Sequence, residues 1–145
     1  MHRFCLFPFL LGLFSIASAQ EVQPDSSESV SMALVEEVPR WAGCEELSGK
    51  EAQACTDDGV MRHVVQETRY PGKARRKGIQ GQVIVRFVVE RDGSVGDVEV
   101  LRSVHALLDA EAVRVVRTFP PFTPGMQRGK PVRVMYSLPL NFSLN

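Results

Sequence analysis

The sequence has few of the residues from which catalytic and metal sites are built. Its 145 residues include three cysteines and three histidines, and none of these forms a Cys-x-x-Cys or His-x-x-x-His pattern. There is no Gly-x-Ser-x-Gly nucleophile motif, and Asp92-Gly93 lacks the further acidic residues of a calcium loop. The glycines fall at predicted turns and form no phosphate-binding pattern after a strand. We therefore expect a protein that is not an enzyme and that holds no metal or cofactor.

Long hydrophobic runs are also scarce, and the longest lies at the N-terminus. Residues 1–19 combine a basic start, an apolar run and the small residues Ala17-Ser18-Ala19, which is typical of a secretory signal peptide. The apolar run is shorter than the roughly 20 residues that span a bilayer. We expect cleavage between Ala19 and Gln20 and export of the mature chain. The alternative is that this segment stays attached as a membrane anchor.

After this cleavage two cysteines remain, Cys44 and Cys55. In an oxidising compartment such a pair predicts one disulfide, with free or metal-bound thiols as the alternative. We expect residues 41–57 to form a loop stapled by this disulfide, with Trp41 as a hydrophobic lid. Residues 20–40 are acidic, rich in serine and poor in large apolar side chains, which predicts a flexible acidic leader.

The formal net charge is zero, but the two halves of the mature chain differ in sign. Residues 20–69 hold 11 acidic and 4 basic residues, whereas residues 70–145 hold 6 acidic and 12 basic residues. Lys73 and Arg76 belong to a basic cluster that could contact an acidic partner, lipid head groups or nucleic acid, or could be a solvated helix face. Since no nucleic-acid motif or aromatic interleaving accompanies the cluster, we expect no nucleic-acid binding. Tyr70, Lys73 and Arg76 are secondary candidates for partner contact.

Hydrophobic periodicity predicts helices and strands in the rest of the chain, which we treat as one domain over residues 58–145. A helix is predicted to begin at Thr56, Asp57 and Asp58, whose oxygens and negative charge suit a helix N-terminus. The other predicted elements are a short helix from Pro71 capped by Gly78, strands at Gln82–Glu90 and Val95–Leu101 joined by an Asp92-Gly93 turn, a helix with a buried stripe from Leu108 to Phe119, a loop at Phe122–Pro131, and a last strand at Pro131–Leu144. This order predicts an α+β fold, a small antiparallel β-sheet of about three strands with helices packed on one face.

The last predicted strand alternates strictly between apolar and other residues, which places its even-numbered side chains in the core. Pro139 lacks an amide hydrogen, and a proline inside a strand indicates a sheet edge. Because residues of one parity direct both backbone groups to the same neighbour, Arg133, Met135, Ser137 and Pro139 are predicted to present a free edge. We interpret this edge as the surface that binds a partner, with the Arg133 charge contributing selectivity.

Several landmarks in sequence resemble the C-terminal domain of the energy transducer TonB. They are Tyr70-Pro71-x-x-Ala74, Gly78-Ile79-x-Gly81, the strand from Val83 to Val89, Asp92-Gly93, Leu108-Asp109-x-Glu111-Ala112, Pro124-Gly125 and Pro139-x-x-Phe142. The resemblance covers about residues 60–144. It implies a periplasmic protein of a Gram-negative bacterium that binds a TonB-dependent outer-membrane receptor, whose TonB box peptide adds as a strand beside the last strand.

A full transducer of this family also has an N-terminal membrane helix and a long proline-rich spacer. Here Pro24 and Pro39 are the only prolines between Gln20 and Arg69. The sequence therefore predicts a periplasmic binding module, with two alternatives. One is a short inner-membrane-anchored energy transducer that contacts inner-membrane motor proteins, if the N-terminal segment is retained. The other is a structural module that forms a homodimer through the same edge strand.

Overall fold

The computed structural model describes residues 28–32 and 34–144. The predicted signal peptide, with its cleavage site between Ala19 and Gln20, lies outside the described residues. The elements in chain order are β1 Val30–Ser31, α1 Gly49–Glu67, α2 Gly72–Arg76, β2 Gly81–Val89, β3 Val95–Arg102, α3 Ala106–Arg117, β4 Gly125–Gln127, β5 Lys130–Val132 and β6 Val134–Phe142. Within the described residues, none of the helices combines the length and the apolar character that crossing a membrane requires.

The main sheet has four strands in the order β1-β6-β2-β3, and β4 and β5 form a separate two-stranded hairpin. The central strand β2 pairs antiparallel with both β3 and β6. β1 pairs in parallel with β6, at Val30 with Val134 and Ser31 with Met135. The α+β class is confirmed. The predicted three-stranded antiparallel sheet gains a fourth strand, which makes it mixed.

The core lies on one face of this sheet, between the strands and the helices. β2 and β6 pair without a register shift, from Gly81 with Phe142 to Val89 with Val134. Alternation therefore brings one face of each strand into the core. The buried residues on this face are Val83, Val85, Phe87 and Val89 of β2 and Val134, Tyr136, Leu138, Leu140 and Phe142 of β6. Leu108, Ala112, Val115 and Val116 of α3 are buried as the sequence predicts. Each large apolar side chain buried here contributes about 1.5–3 kcal/mol.

The hairpin turn between β2 and β3 follows the predicted Asp92-Gly93 signal. Asp92 Oδ1 accepts hydrogen bonds from the backbone and the hydroxyl of Ser94, at 2.9 and 2.6 Å. Gly93 has φ +88°, and a Cβ added there would lie 1.8 Å from the carbonyl oxygen of Phe122. The Phe122 amide also donates to the Gly93 carbonyl at 2.8 Å. Because glycine has no Cβ, the loop after α3 can approach the turn this closely and is held against the hairpin.

α1 begins at Gly49 rather than at the predicted start, Thr56 to Asp58, so that prediction is wrong. Thr56 is buried in the middle of the helix. Its hydroxyl accepts from the Trp41 amide at 3.0 Å and lies 3.4 Å from the Pro39 carbonyl. The hydroxyl that suggested a helix cap therefore holds the preceding loop against the helix.

The last predicted strand, Pro131–Leu144, is interrupted at Arg133. Lys130–Val132 pairs with Gly125–Gln127 and forms the small hairpin, so the predicted loop over Phe122–Pro131 contains strand structure. Only Val134–Phe142 belongs to the main sheet.

Part of the predicted flexible leader is attached to the domain, which corrects that prediction for the described residues. Besides the pairing of β1, Glu37 bridges to Met126 and Arg40 bridges to Thr123. The backbone hydrogen bonds at these bridges are 2.8–3.0 Å long. Composition alone predicts no hydrogen-bond partner for these backbone amides and carbonyls, and the two bridges supply one.

Candidate functional site

The site is built on the outer edge of β6, which we define as the odd-numbered positions Arg133, Met135, Ser137, Pro139 and Asn141. The even-numbered residues of β6 are buried, whereas Ser137, Pro139 and Asn141 are exposed and Met135 is half-buried. The Val30 amide donates to the Arg133 carbonyl at 2.8 Å, so this carbonyl points away from β2. Because alternate residues of a strand direct their backbone groups to the same side, the odd-numbered positions face outward. That these groups bind a partner stays a prediction.

The outer edge has a covered part and an open part. β1 faces only Val134 and Met135. Beyond them no strand of the described residues pairs with the outward groups of Ser137 and Pro139. Pro139 contributes a carbonyl but no amide hydrogen, and its position facing away from β2 leaves the ladder to Ile84 intact. From Ser137 to Pro139, the open part can therefore accept hydrogen bonds from an added strand at the two carbonyls and donate one from the Ser137 amide.

A groove runs along the outer edge, between β6 and α1. Its open half is lined by Asp57, Val60 and Met61 of α1 and by residues 136–139 of β6. Its other half is lined by Ser31, Met32, Gln53 and residues 135–137, so Tyr136 and Ser137 are common to both halves. We call these two halves together the edge groove.

The helical wall of the edge groove carries exposed apolar surface. Met61, which lines the open half, is 44% exposed. In an added strand, alternate side chains would point to the same face as the even-numbered residues of β6, and therefore towards Met61. The groove thus favours a guest segment with apolar residues at alternate positions.

Tyr136 fixes α1 against β6 and so sets the position of the groove wall. Its hydroxyl donates to the Asp57 carboxylate, and its ring stacks on Phe87 at 5.2 Å between ring centroids. Burial and this hydrogen bond raise the pKa of Tyr136 well above its usual range. The phenol therefore stays protonated and keeps its donor for Asp57.

The Arg133 side chain does not supply the free charge that the sequence suggested. It is only 12% exposed. Its guanidinium binds Glu90 at 2.8 and 3.2 Å and also Asp97, so two carboxylates neutralise its charge. That Arg133 gives charge selectivity stays a prediction, and its charge is already paired with Glu90 and Asp97. Its contribution to the outer edge is the backbone carbonyl.

Tyr70, Lys73 and Arg76 lie far from the start of the outer edge. The Tyr70 hydroxyl donates to the Ile79 carbonyl, and its ring packs edge-on against Phe142, 5.8 Å away between centroids. Phe142 ends the nine-residue strand β6, about 27 Å from its beginning. Lys73 and Arg76 are exposed on α2. The structure therefore does not bring these candidates together with Arg133 and Met135, and Tyr70 has a structural contact of its own.

The predicted disulfide between Cys44 and Cys55 is present, with 6.0 Å between the Cα atoms. It joins the loop to α1, since Cys55 lies inside that helix. Trp41 covers the core as the predicted lid, with its ring centroid 5.4 Å from that of Phe119 and 5.3 Å from that of Phe122. The disulfide and Trp41 thus hold the helix that forms the wall of the edge groove.

The sequence interpretation missed β1 and the groove-facing side of α1. A signal for β1 was present, because Val30 and Met32 alternate with the serines at 29 and 31, which is a short period-two pattern. On α1, the half-exposure of Met61 is decided by the position of β6, and the helical period of the sequence does not contain that information.

The sequence was compared with known proteins. Residues 66–144 match the family described as Gram-negative bacterial TonB protein C-terminal. A segment of 44 residues is 39% identical to Protein TonB of Helicobacter pylori strain J99 and covers 30% of this chain and 16% of that protein. Protein TonB of Helicobacter pylori strain 26695 is also 39% identical over 44 residues, which is 30% of this chain and 15% of that protein. The matched segment thus spans about one sixth of these relatives.

Two solution structures of the Helicobacter pylori TonB C-terminal domain are similar to this chain. One has 28% identity and a TM-score of 0.45, and the match covers 58% of this chain and 88% of that domain. The other has 26% identity and a TM-score of 0.48, with 70% of this chain and 98% of that domain covered.

Proposed function

Because this chain belongs to the family of Gram-negative bacterial TonB protein C-terminal domains, we propose that it acts in TonB-dependent transport as a periplasmic binding module. It captures an extended segment of an outer-membrane receptor, the TonB box, by strand addition to the outer edge of β6. The observation that carries this proposal is the edge itself. It exposes outward backbone groups from Ser137 to Asn141 beside an apolar groove wall.

The pairing of β1 supports the proposal from within the molecule. A short segment of the chain lies in parallel against Val134 and Met135, so this edge accepts a strand without rearrangement of the sheet. In such complexes main-chain hydrogen bonds provide most of the affinity, and pockets for alternate side chains provide selectivity. Here the pockets belong to the edge groove, and Met61 is their apolar wall.

The extent of the docking site follows from the residues at its ends. At one end, Arg133 offers an outward carbonyl. At the other end, Pro139 has no amide to donate, so the ladder of an added strand ends there. A guest of about five to seven residues therefore suffices to use every outward group between these two residues, since strands rise about 3.3 Å per residue.

The test is an NMR titration of the ¹⁵N-labelled mature chain with eight-residue peptides from the plug segments of TonB-dependent receptors of the same bacterium. We expect amide shifts at residues 133–138. A matched control uses the same peptide with N-methyl groups on the alternate residues whose amides face β6, and it should bind at least tenfold more weakly. Methylation of the other alternate residues should leave binding intact. Unchanged amides at millimolar peptide, for every receptor, would overturn the proposal.

Export belongs to the same proposal and is tested separately. Mass spectrometry of the N-terminus of the native protein should give a chain that begins at Gln20. A chain that retains residues 1–19 would instead support the inner-membrane-anchored transducer and its contact with motor proteins.

A further inference from the structure

We propose that β1 is an internal ligand of the outer edge of β6, which a receptor segment must displace before it occupies the whole site. This inference rests on the proposed function of that edge and names how access to it is regulated. It follows from three observations: the backbone groups that β1 uses, the side chains it places in the edge groove, and the short tether that holds it there.

β1 uses the backbone groups that an added strand would use. The Val30 amide donates to the Arg133 carbonyl at 2.8 Å. In a parallel pair with Val30 opposite Val134, the Val30 carbonyl faces the Met135 amide. The first outward acceptor and the first outward donor of the docking site are therefore already engaged. A receptor segment in the same register and β1 exclude each other.

The side chains of β1 and of Met32, the residue that follows it, also resemble those of the expected guest. Val30 is half-buried and Met32 packs against the hydrophobic core, whereas Ser31 between them is exposed. This is the alternation that the groove favours in a guest. Ser31 and Met32 line one half of the edge groove, beside Gln53 of α1. The half lined by Met61 and Pro139 has no β1 residue in it, so a receptor segment can begin to pair there and then displace β1.

The tether keeps β1 close to the edge after it detaches. The Glu36 amide donates to Gln127 Oε1 at 2.9 Å, and a Glu36 carboxylate oxygen accepts from the Arg128 amide at 3.1 Å. The Glu37–Met126 bridge follows directly. Four residues separate Ser31 from Glu36, and a link of this length reaches at most about 17 Å. A tethered strand of two residues competes through its high local concentration, although its few hydrogen bonds are individually weak.

The first measurement asks whether β1 occupies the edge in solution. We compare Val30→Pro with Ser31→Pro in the full mature chain. Val30→Pro removes the amide that donates to Arg133, whereas the Ser31 amide points away from β6, so Ser31→Pro is the matched control. Hydrogen exchange of the Met135 amide should become about tenfold faster in Val30→Pro, from the loss of about two net hydrogen bonds. It should be unchanged in Ser31→Pro.

The second measurement asks whether β1 competes with a partner. The probe is a receptor plug peptide from the titration above. Its dissociation constant should fall about tenfold in Val30→Pro, because the binding-competent state becomes fully populated, and should stay the same in Ser31→Pro. Both variants leave every residue of β6 and α1 in place.

The outcomes separate this inference from the proposed function. Equal hydrogen-exchange rates of the Met135 amide in the wild type, Val30→Pro and Ser31→Pro overturn the inference, whatever the peptide does. Faster exchange in Val30→Pro with an unchanged dissociation constant also overturns it, since β1 then pairs without competing. If the peptide binds to none of the three chains, the proposed function is overturned, and the competition with it. The hydrogen exchange of the Met135 amide still reports where β1 lies. Met135 protection that rises with protein concentration, together with a dimer in light scattering, overturns the intramolecular pairing in favour of a second copy.

Discussion

The outward amide of Met135 is the first donor of the proposed docking site, and its removal is the sharpest single change that the fold permits. In Met135→Pro the amide hydrogen is lost, but the residue faces away from β2, so the β2–β6 ladder keeps all its donors. The native Pro139 occupies an equivalent outward position four residues along the same strand. The fold therefore already tolerates a proline of this kind.

The expected magnitudes differ for folding and for binding. The free energy of unfolding should fall by about 1 kcal/mol, because one net hydrogen bond to β1 is lost. Binding should lose about 1.5–3 kcal/mol, because a carbonyl of the bound segment is left unpaired and the proline ring occupies its place. This corresponds to a dissociation constant roughly ten- to a hundredfold higher.

Two control variants isolate the amide. Asn141→Pro removes an outward amide of the same strand beyond Pro139, where the docking ladder has ended and where β1 does not pair, so its stability loss should be smaller and its affinity unchanged. Met135→Ala keeps the amide and removes the side chain, so its affinity should change by less than about threefold. Urea denaturation gives the stabilities, and the receptor peptide titration gives the affinities. Equal affinities of Met135→Pro and Asn141→Pro would refute the assignment of the edge.

Three further predictions concern the parts that hold the groove. Reduction of the disulfide that joins the loop to α1 should lower the free energy of unfolding by about 3 kcal/mol in the chain-entropy model, measured by urea denaturation with and without reductant; an unchanged midpoint would contradict it. Gly93→Ala should cost about 2 kcal/mol or more, since its Cβ would meet the Phe122 carbonyl oxygen at 1.8 Å at a positive φ, and a melting temperature within 2 °C of the wild type would speak against this turn. Burial and the bond to Asp57 raise the pKa of Tyr136. The contribution of Tyr136 to the free energy of unfolding is therefore fully present below about pH 10. It declines as pH rises towards the folded pKa, by up to about 1.4 kcal/mol per pH unit. Alkaline unfolding profiles of the wild type and of Tyr136→Phe should therefore converge above pH 10, and parallel profiles would contradict the assignment.

Much of the fold could be predicted because local patterns and tertiary contacts agree there. The alternation along β6 is produced by one buried face, and Asp92-Gly93 supplies the positive φ that the hairpin needs. The start of α1 could not be predicted in this way. Gly49, Thr56 and Asp57 have low helix propensity, and contacts with Trp41 and Tyr136, distant in sequence, stabilise the helix there.

The break before β6 and the pairing of β1 were hidden for related reasons. Alternation continues through Arg133, so only the turn at Arg128 and Gly129, both with positive φ, shows that the preceding residues pair elsewhere. The period-two pattern around β1 covers only residues 29–32, which is too short to predict a strand, and the composition there matches a disordered leader. The outer edge of β6 could therefore be predicted from the sequence. That β1 pairs with this edge follows only from the three-dimensional arrangement.

The proposed function depends most directly on which edge of the sheet receives a partner strand. The sheet has a second outer strand, β3, whose exposed edge is the natural competitor. The decisive measurement is amide hydrogen exchange of the chain with and without a saturating receptor peptide. We expect new protection of the Ser137 amide, the open donor of β6, and none in β3. Protection confined to β3, with Ser137 unchanged, would contradict it.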